Sequence, residues 1–275
     1  MHAFNLSEQQ YIPLREFNWR VDPDGGGVGE EFEDGRWPAS TSLDGKSYDL
    51  SFVNGWKIRH EFNAGATMTW TVLEGQGKGE TGTQDSHTVE VRPNIFAVTF
   101  SKGEPREDIL LVVDTERSRA LAVVTTFGPG YFEGDESLPE ANTVFLSGAI
   151  GDAEIVELHP SDVLVSQRAI HFYSEHQVYE HVYLSKHTNV WQCLVGPERG
   201  ETDVAETDTY VFDDDLLIFK WHERGAPADG ILVVDRVSHR TTGRLSGSDG
   251  MLVMGARSYF TAALEYPSLQ ELANG

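Results

Sequence analysis

The sequence predicts an all-β protein built from two copies of one antiparallel β-barrel unit. Three observations lead to this: short runs of alternating apolar residues, turn residues between those runs, and an internal repeat. Runs such as WKIRHEF (56–62), TMTWTVLE (67–74), HTVEVRP (87–93), IFAVTF (95–100), ILLVVD (109–114) and ALAVVTTF (120–127) recur along the chain. Period-two alternation rich in Val, Ile, Thr and aromatic residues is the pattern of a half-buried strand. The 27 glycines, with Asp and Asn, supply the turns between strands. Helical spacing is weak except over 267–274 and in part of the first forty residues. Regular short strands without intervening helical patterns indicate a barrel or sandwich rather than a βαβ sheet.

The repeat is the strongest of the three signals. Displacing the chain by 121 residues brings His60 onto His181, Trp70 onto Trp191, Gly75 onto Gly196 and Arg119 onto Arg240. Gly79-Glu80-Thr81 falls on Gly200-Glu201-Thr202, and Leu111-Val112-Val113-Asp114 on Leu232-Val233-Val234-Asp235. Fifteen of the sixty positions from 60 to 119 are identical in this single ungapped register, against roughly four expected from average composition. The division that follows is an N-terminal extension (1–40), a first unit (41–150) and a second (151–275). Between the repeated stretches lie Gly128-Pro129-Gly130, the acidic run 133–136, and a strand-like segment, 143–150, that completes the first barrel or bridges the two.

Composition narrows the partners. With 44 Asp and Glu against 21 Lys and Arg the formal charge is −23. Such a chain repels phosphate backbones and anionic lipid, so nucleic acid and membrane surfaces are not expected as partners. The single cysteine, Cys193, precludes an intramolecular disulfide framework and suits a reducing, cytoplasmic compartment. The first twenty residues lack an apolar core of signal-peptide length, and no apolar run approaches membrane-spanning length. The expected partner is a small molecule, and a homo-oligomer is compatible with these bounds.

The segment 42–56 (SLDGKSYDLSFVNGW) resembles the opening of the MoaF family. VRPNIFAVTF at 91–100 and LLVVD at 110–114 continue the likeness. The family is named for a molybdenum-cofactor biosynthesis protein, and its members carry related N- and C-terminal lipocalin-like domains. The resemblance therefore implies two calycin-like barrels and a link to molybdenum-cofactor metabolism, although an acidic chain is an awkward host for an anionic pterin phosphate. The first unit is also distantly similar to phenolic acid decarboxylases, through the turn Asn54-Gly55-Trp56. Their two catalytic tyrosine positions hold Leu50 and Phe52 here, the arginine position falls near Gly79 and the glutamate position near Lys102. That decarboxylase activity does not carry over.

The residues that could do chemistry follow from strand phase. In 56–62, Trp56, Ile58, His60 and Phe62 share the apolar face, so His60 should point into the barrel. Its repeat His181 has Tyr179 and Tyr183 on the same face, and Tyr173 falls nearby. An interior imidazole among aromatics serves either acid–base and ligand-orienting chemistry or simply a hydrogen-bonded core. Trp70 and Trp191 are core plugs or stacking walls. Glu80 and Glu201 stand at barrel mouths, or pair with basic rim residues. Asp114 with Arg119, and Asp235 with Arg240, fit hairpin-closing ion pairs. In Lys220-Trp221-His222-Glu223-Arg224, Trp221 takes one face and Lys220 with His222 the other, and the pattern does not say which face is inner. Cys193 has no activating neighbour. No histidine spacing fits a metal site, and no phosphate loop or nucleophile elbow occurs, so neither metal nor cofactor is expected.

The expected function is therefore binding of a small, partly aromatic or polyketide-like molecule inside a barrel. Turnover would be that of a cofactor-independent lyase, isomerase or cyclase using His181, Tyr173, Tyr179 and His60. Trp191, Tyr183, Trp70, Trp221 and His222 would contact the ligand. A non-catalytic binding or accessory protein is the alternative. The more polar inner face of the second unit places the working pocket in the C-terminal barrel.

Overall fold

A computed structural model describes residues 36–103, 105–128, 140–223, 228–247 and 250–261. The sequence-based expectations for 1–35, for the acidic run 133–136 and for helical spacing at 267–274 lie outside the described residues. Everything regular among the described residues is β. The first unit comprises β1 (Ser47–Phe52), β2 (Lys57–Asn63), β3 (Thr67–Glu74), β4 (Thr81–Arg92), β5 (Ile95–Lys102), β6 (Glu107–Asp114), β7 (Arg119–Gly128) and β8 (Glu140–Ile150). Each pairs antiparallel with the next, and β8 returns to β1, with Ser51 opposite Ala149, so the barrel closes. Segment 143–150 thus completes the first barrel.

The second unit repeats this order with β9 (Arg168–Phe172), β10 (Val178–Ser185), β11 (Thr188–Val195), β12 (Thr202–Asp213), β13 (Leu216–Glu223), β14 (Ala228–Asp235), β15 (Arg240–Gly247) and β16 (Gly250–Phe260). Closure is between β16 and β9. The 121-residue displacement maps β1–β7 onto β9–β15 and then fails. The β7–β8 connection spans 129–139, whereas β15 and β16 are separated only by 248–249.

Alternation decides which side chains enter each barrel. Strand β3 places Met68, Trp70 and Val72 in the interior, with Thr69 and Thr71 outside. Gly75 and Gly196, matched in the repeat, show why that turn position is glycine. Their φ angles are +104° and +142°, and a Cβ there would stand 2.2 Å from the Trp56 ring and 2.4 Å from the Gln177 amide oxygen.

Strands β5, β6, β13 and β14 depart from alternation because both of their faces are covered. Ile95, Ala97, Leu110 and Val112 of the first barrel's outer wall share one buried cluster with Leu216, Ile218, Ile231 and Val233 of the second. The barrels therefore pack wall to wall through corresponding strands. Phe145 stacks on Tyr210, ring centroids 4.1 Å apart. A buried charge in this interface is held by neutral acceptors. Arg244 is fully buried and donates to Ser246 Oγ, to Thr125 Oγ1 at 2.9 Å and to the Val123 carbonyl at 3.2 Å. Val123 is its own counterpart in the repeat. Asp114 closes its hairpin with Arg119 at 3.2 Å, as the spacing predicts. Asp235 is a correction: it binds Arg92 of the first barrel at 2.6 Å and accepts from Ser238 Oγ.

Candidate ligand-binding site

The first barrel holds a partly open cavity of about 730 Å³, within the range of small-molecule sites. Phe52, Trp56, Ile58, Val72, Phe100, Ile109, Leu111 and Val124 supply apolar walls, and His60 and Trp70 also line it. These two are directly opposite each other on β2 and β3. His60 is 4% exposed, and its Nδ1 and the Trp70 Nε1 are sealed from the cavity without a hydrogen-bond partner among the described residues. Burial pulls the His60 imidazole down to about 4, only partly opposed by the Ile58 carbonyl. At neutral pH it is an uncharged ring, able to accept or donate a proton.

Polar groups gather at another part of the lining. Lys102 Nζ lies 2.7 Å from Glu107 Oε2 and 4.3 Å above the Trp70 ring centroid. Asn54, Gln76, Glu80 and Thr126 complete this region. The loop after β5 is braced from behind. Fully buried Asp108 accepts from Ser101 Oγ at 2.7 Å and holds Arg106 through Nη2 at 2.5 Å. Those bonds keep the Asp108 carboxyl below its usual range against the opposing effect of burial.

The second barrel has the same walls with larger occupants. Between corresponding positions, Phe52 becomes Tyr173, Ile58 Tyr179, Phe62 Tyr183, Val98 Phe219 and Phe100 Trp221. Their rings fill the interior. His181 has its centroid 4.6 Å from His171, 5.7 Å from Phe219, 5.8 Å from Trp221 and 6.2 Å from Tyr183. Expectation placed the working pocket here, whereas the cavity described above lies in the first barrel. The polar face is present, but it is consumed in packing, and the large cavity lies in the first barrel. The physical reason is volume, since hydroxyls reached this face on rings that exclude a ligand.

The chemistry of that core is muted. Burial lowers His171 to about 4, and it drives His181 well below its usual value, helped by neighbouring His171. Burial likewise raises Tyr173, Tyr179 and Tyr183 above the ordinary phenol range. His171 Nδ1 pairs with Ser258 Oγ at 2.7 Å, and Tyr179 donates to Glu198 at 2.6 Å. His171 Nε2, the Tyr183 hydroxyl and Asn189 Oδ1 have no partner among the described residues. Hydrogen-bonding capacity is left over in both barrels, so it is room that separates them.

Where the first barrel has Lys102, the second has Glu223. Its carboxylate accepts from Trp221 Nε1 at 2.5 Å and Trp191 Nε1 at 3.1 Å, joining the two indoles. Burial raises Glu223 despite those two bonds. Cys193 is buried, and burial pushes its thiol up to about 12, so it is no nucleophile. Among the candidates, the structure therefore brings His60 and Trp70 together in the cavity. It brings His181, Tyr173, Tyr179, Tyr183, Trp191 and Trp221 together in the filled core. His222 joins neither: it faces outward, its Nδ1 2.6 Å from Asp229, a bond that raises its pKa. Phe100, Trp56, Lys102 and Glu107 were not singled out as ligand contacts. Strand phase already put Trp56 on the inner face with His60, but the pairing of Lys102 with Trp70 depends on strand neighbours.

Fold and cavity define the class: a tandem of two eight-stranded antiparallel barrels, the first hollow and the second filled. Residues 23–129 match the MoaF N-terminal domain and residues 158–266 the MoaF C-terminal domain, and the chain belongs to the MoaF family. It is similar to Protein MoaF of Klebsiella aerogenes, with 36% identity over 90 residues, 33% of this chain and 34% of that protein. A solved structure from Burkholderia vietnamiensis, provisionally named a beta-lactamase, overlays 44% of this chain and 99% of its own. At a TM-score of 0.32 and 16% identity it carries no argument.

Proposed function

We propose that this protein binds a small, largely apolar and partly aromatic molecule in its N-terminal barrel. The observation that carries this reading is the contrast between the units. One fold has been kept open in the first copy and packed with rings in the second, and the open one sets the neutral imidazole of His60 among apolar and aromatic lining residues.

A second reading makes the site catalytic, as a cofactor-independent lyase or isomerase. The neutral imidazole of His60 favours it. A buried uncharged base in a largely apolar cavity, with an ammonium at the polar end of the lining, can move a proton on a bound substrate. An accessory role in molybdenum-cofactor metabolism, which the family name suggests, is less well supported by the cavity. Its lining sets Glu80 and Glu107 against one lysine, a poor match for a phosphorylated pterin.

The test is titration with the uncharged environment-sensitive dye N-phenyl-1-naphthylamine. Wild type should bind one equivalent saturably and quench Trp56 and Trp70. Ile58→Tyr, which copies the second barrel's own filling, should abolish binding in a folded protein, while Trp191→Phe should leave it intact. Retained binding in Ile58→Tyr would place the dye elsewhere and reject this site.

A further inference from the structure

The geometry points to an uncharged hydroxylated aromatic compound, of the phenol or naphthol class, as the ligand of the first barrel, in preference to an aromatic acid. This rests on the reading that the first barrel holds a ligand, and names its chemistry.

Three features of the lining select the class. Trp56, Trp70, Phe52 and Phe100 offer flat faces and edges suited to a planar ring. The charges disfavour an anion. The cavity's one ammonium, Lys102, is already engaged by Glu107 at 2.7 Å and by the Trp70 face at 4.3 Å. Glu80 adds a second carboxylate, and the chain as a whole carries −23. A carboxylate ligand would meet two like charges and an occupied cation, and would lose its hydration in an apolar barrel.

The third feature is donor and acceptor balance. A neutral imidazole presents one donor and one acceptor, whereas an indole presents only a donor. A hydroxyl can donate to the acceptor nitrogen of His60 and also accept a hydrogen bond. A carboxylate can only accept, so it would leave the imidazole acceptor unmatched.

The experiment compares naphthalene, 2-naphthol and 2-naphthoate by calorimetry or tryptophan quenching near neutral pH. In wild type, 2-naphthol should bind at least about tenfold more tightly than 2-naphthoate and several-fold more tightly than naphthalene. His60→Leu should reduce the naphthol affinity to that of naphthalene while leaving naphthalene binding within about twofold. His60→Phe keeps an aromatic ring at the position and should likewise erase the naphthol preference, which preserves a test should His60→Leu fold poorly. Naphthoate binding as tightly as naphthol, or an undiminished naphthol preference in either folded variant, overturns the assignment. Failure of all three compounds to bind wild type instead overturns the ligand site itself.

Discussion

Trp221 lies across the backbone of Gly230 on the neighbouring strand, so close that a Cβ at position 230 would fall 2.1 Å from the indole ring. In the first barrel the corresponding pair is Phe100 and Ile109, and both line the cavity. A large ring over a bare backbone fills one barrel; a smaller ring beside a branched side chain leaves space in the other. Gly230→Ala should therefore destabilise the protein by about 1–3 kcal/mol through overpacking, measured by urea denaturation. An unchanged midpoint would show that Trp221 can swing aside.

The two repeated histidines should respond differently to truncation. His181→Ala opens a hole among Phe219, Trp221, Tyr183 and His171, and should cost about 2–5 kcal/mol. His60→Leu replaces an imidazole beside an existing cavity, and should change stability by less than about 1.5 kcal/mol while impairing ligand binding. The check is melting temperature beside dye affinity for both variants. Equal losses of stability would refute the division between a working and a structural barrel.

Arg244 should behave as the lock between the barrels. Its guanidinium is fully buried, and burial pulls it down to about 10, against the favourable charges of Asp108 and Asp229. Arg244→Ala removes its bonds to Ser246, Thr125 and Val123 and leaves a void between the barrels, and should cost about 2–5 kcal/mol. Calorimetry should then show the single wild-type transition split or broadened, as the barrels lose their shared cooperativity.

Acid should destabilise the fold in a window set by the buried imidazoles. An unfolded histidine takes up its proton near 6.5, but His60 and His171 resist until about 4. Between these values the unfolded chain holds more protons than the folded one, so stability is full above about 6.5 and falls as pH drops toward 4. Urea midpoints measured across this range should decline for wild type and decline less steeply for His60→Leu. Equal slopes would mean that His60 titrates normally in the folded state.

Much of the architecture was legible in the chain. Alternation around His60 and Trp70 gave their inward phase, and the displacement of 121 residues gave two units of one topology. The barrel–barrel interface also left a mark, for 109–113 and 231–234 are unbroken apolar runs, the signature of strands covered on both faces. Arg244 left no such mark, because its partners Val123 and Thr125 lie on the other barrel.

Strand phase and repetition are local properties, carried by period-two patterning and by matched residues at one spacing, so the sequence alone determined an all-β duplicated barrel and the inward faces of its strands. Which barrel is hollow was decided only by tertiary structure. Cavity volume is what remains after side chains from eight strands have packed together. The exchanges Ile58 for Tyr179, Phe100 for Trp221 and Ile109 for Gly230 each look modest along the chain. They become decisive when the rings meet across the barrel, and the hydroxyls that made the second unit look like a binding face arrived on the groups that fill it.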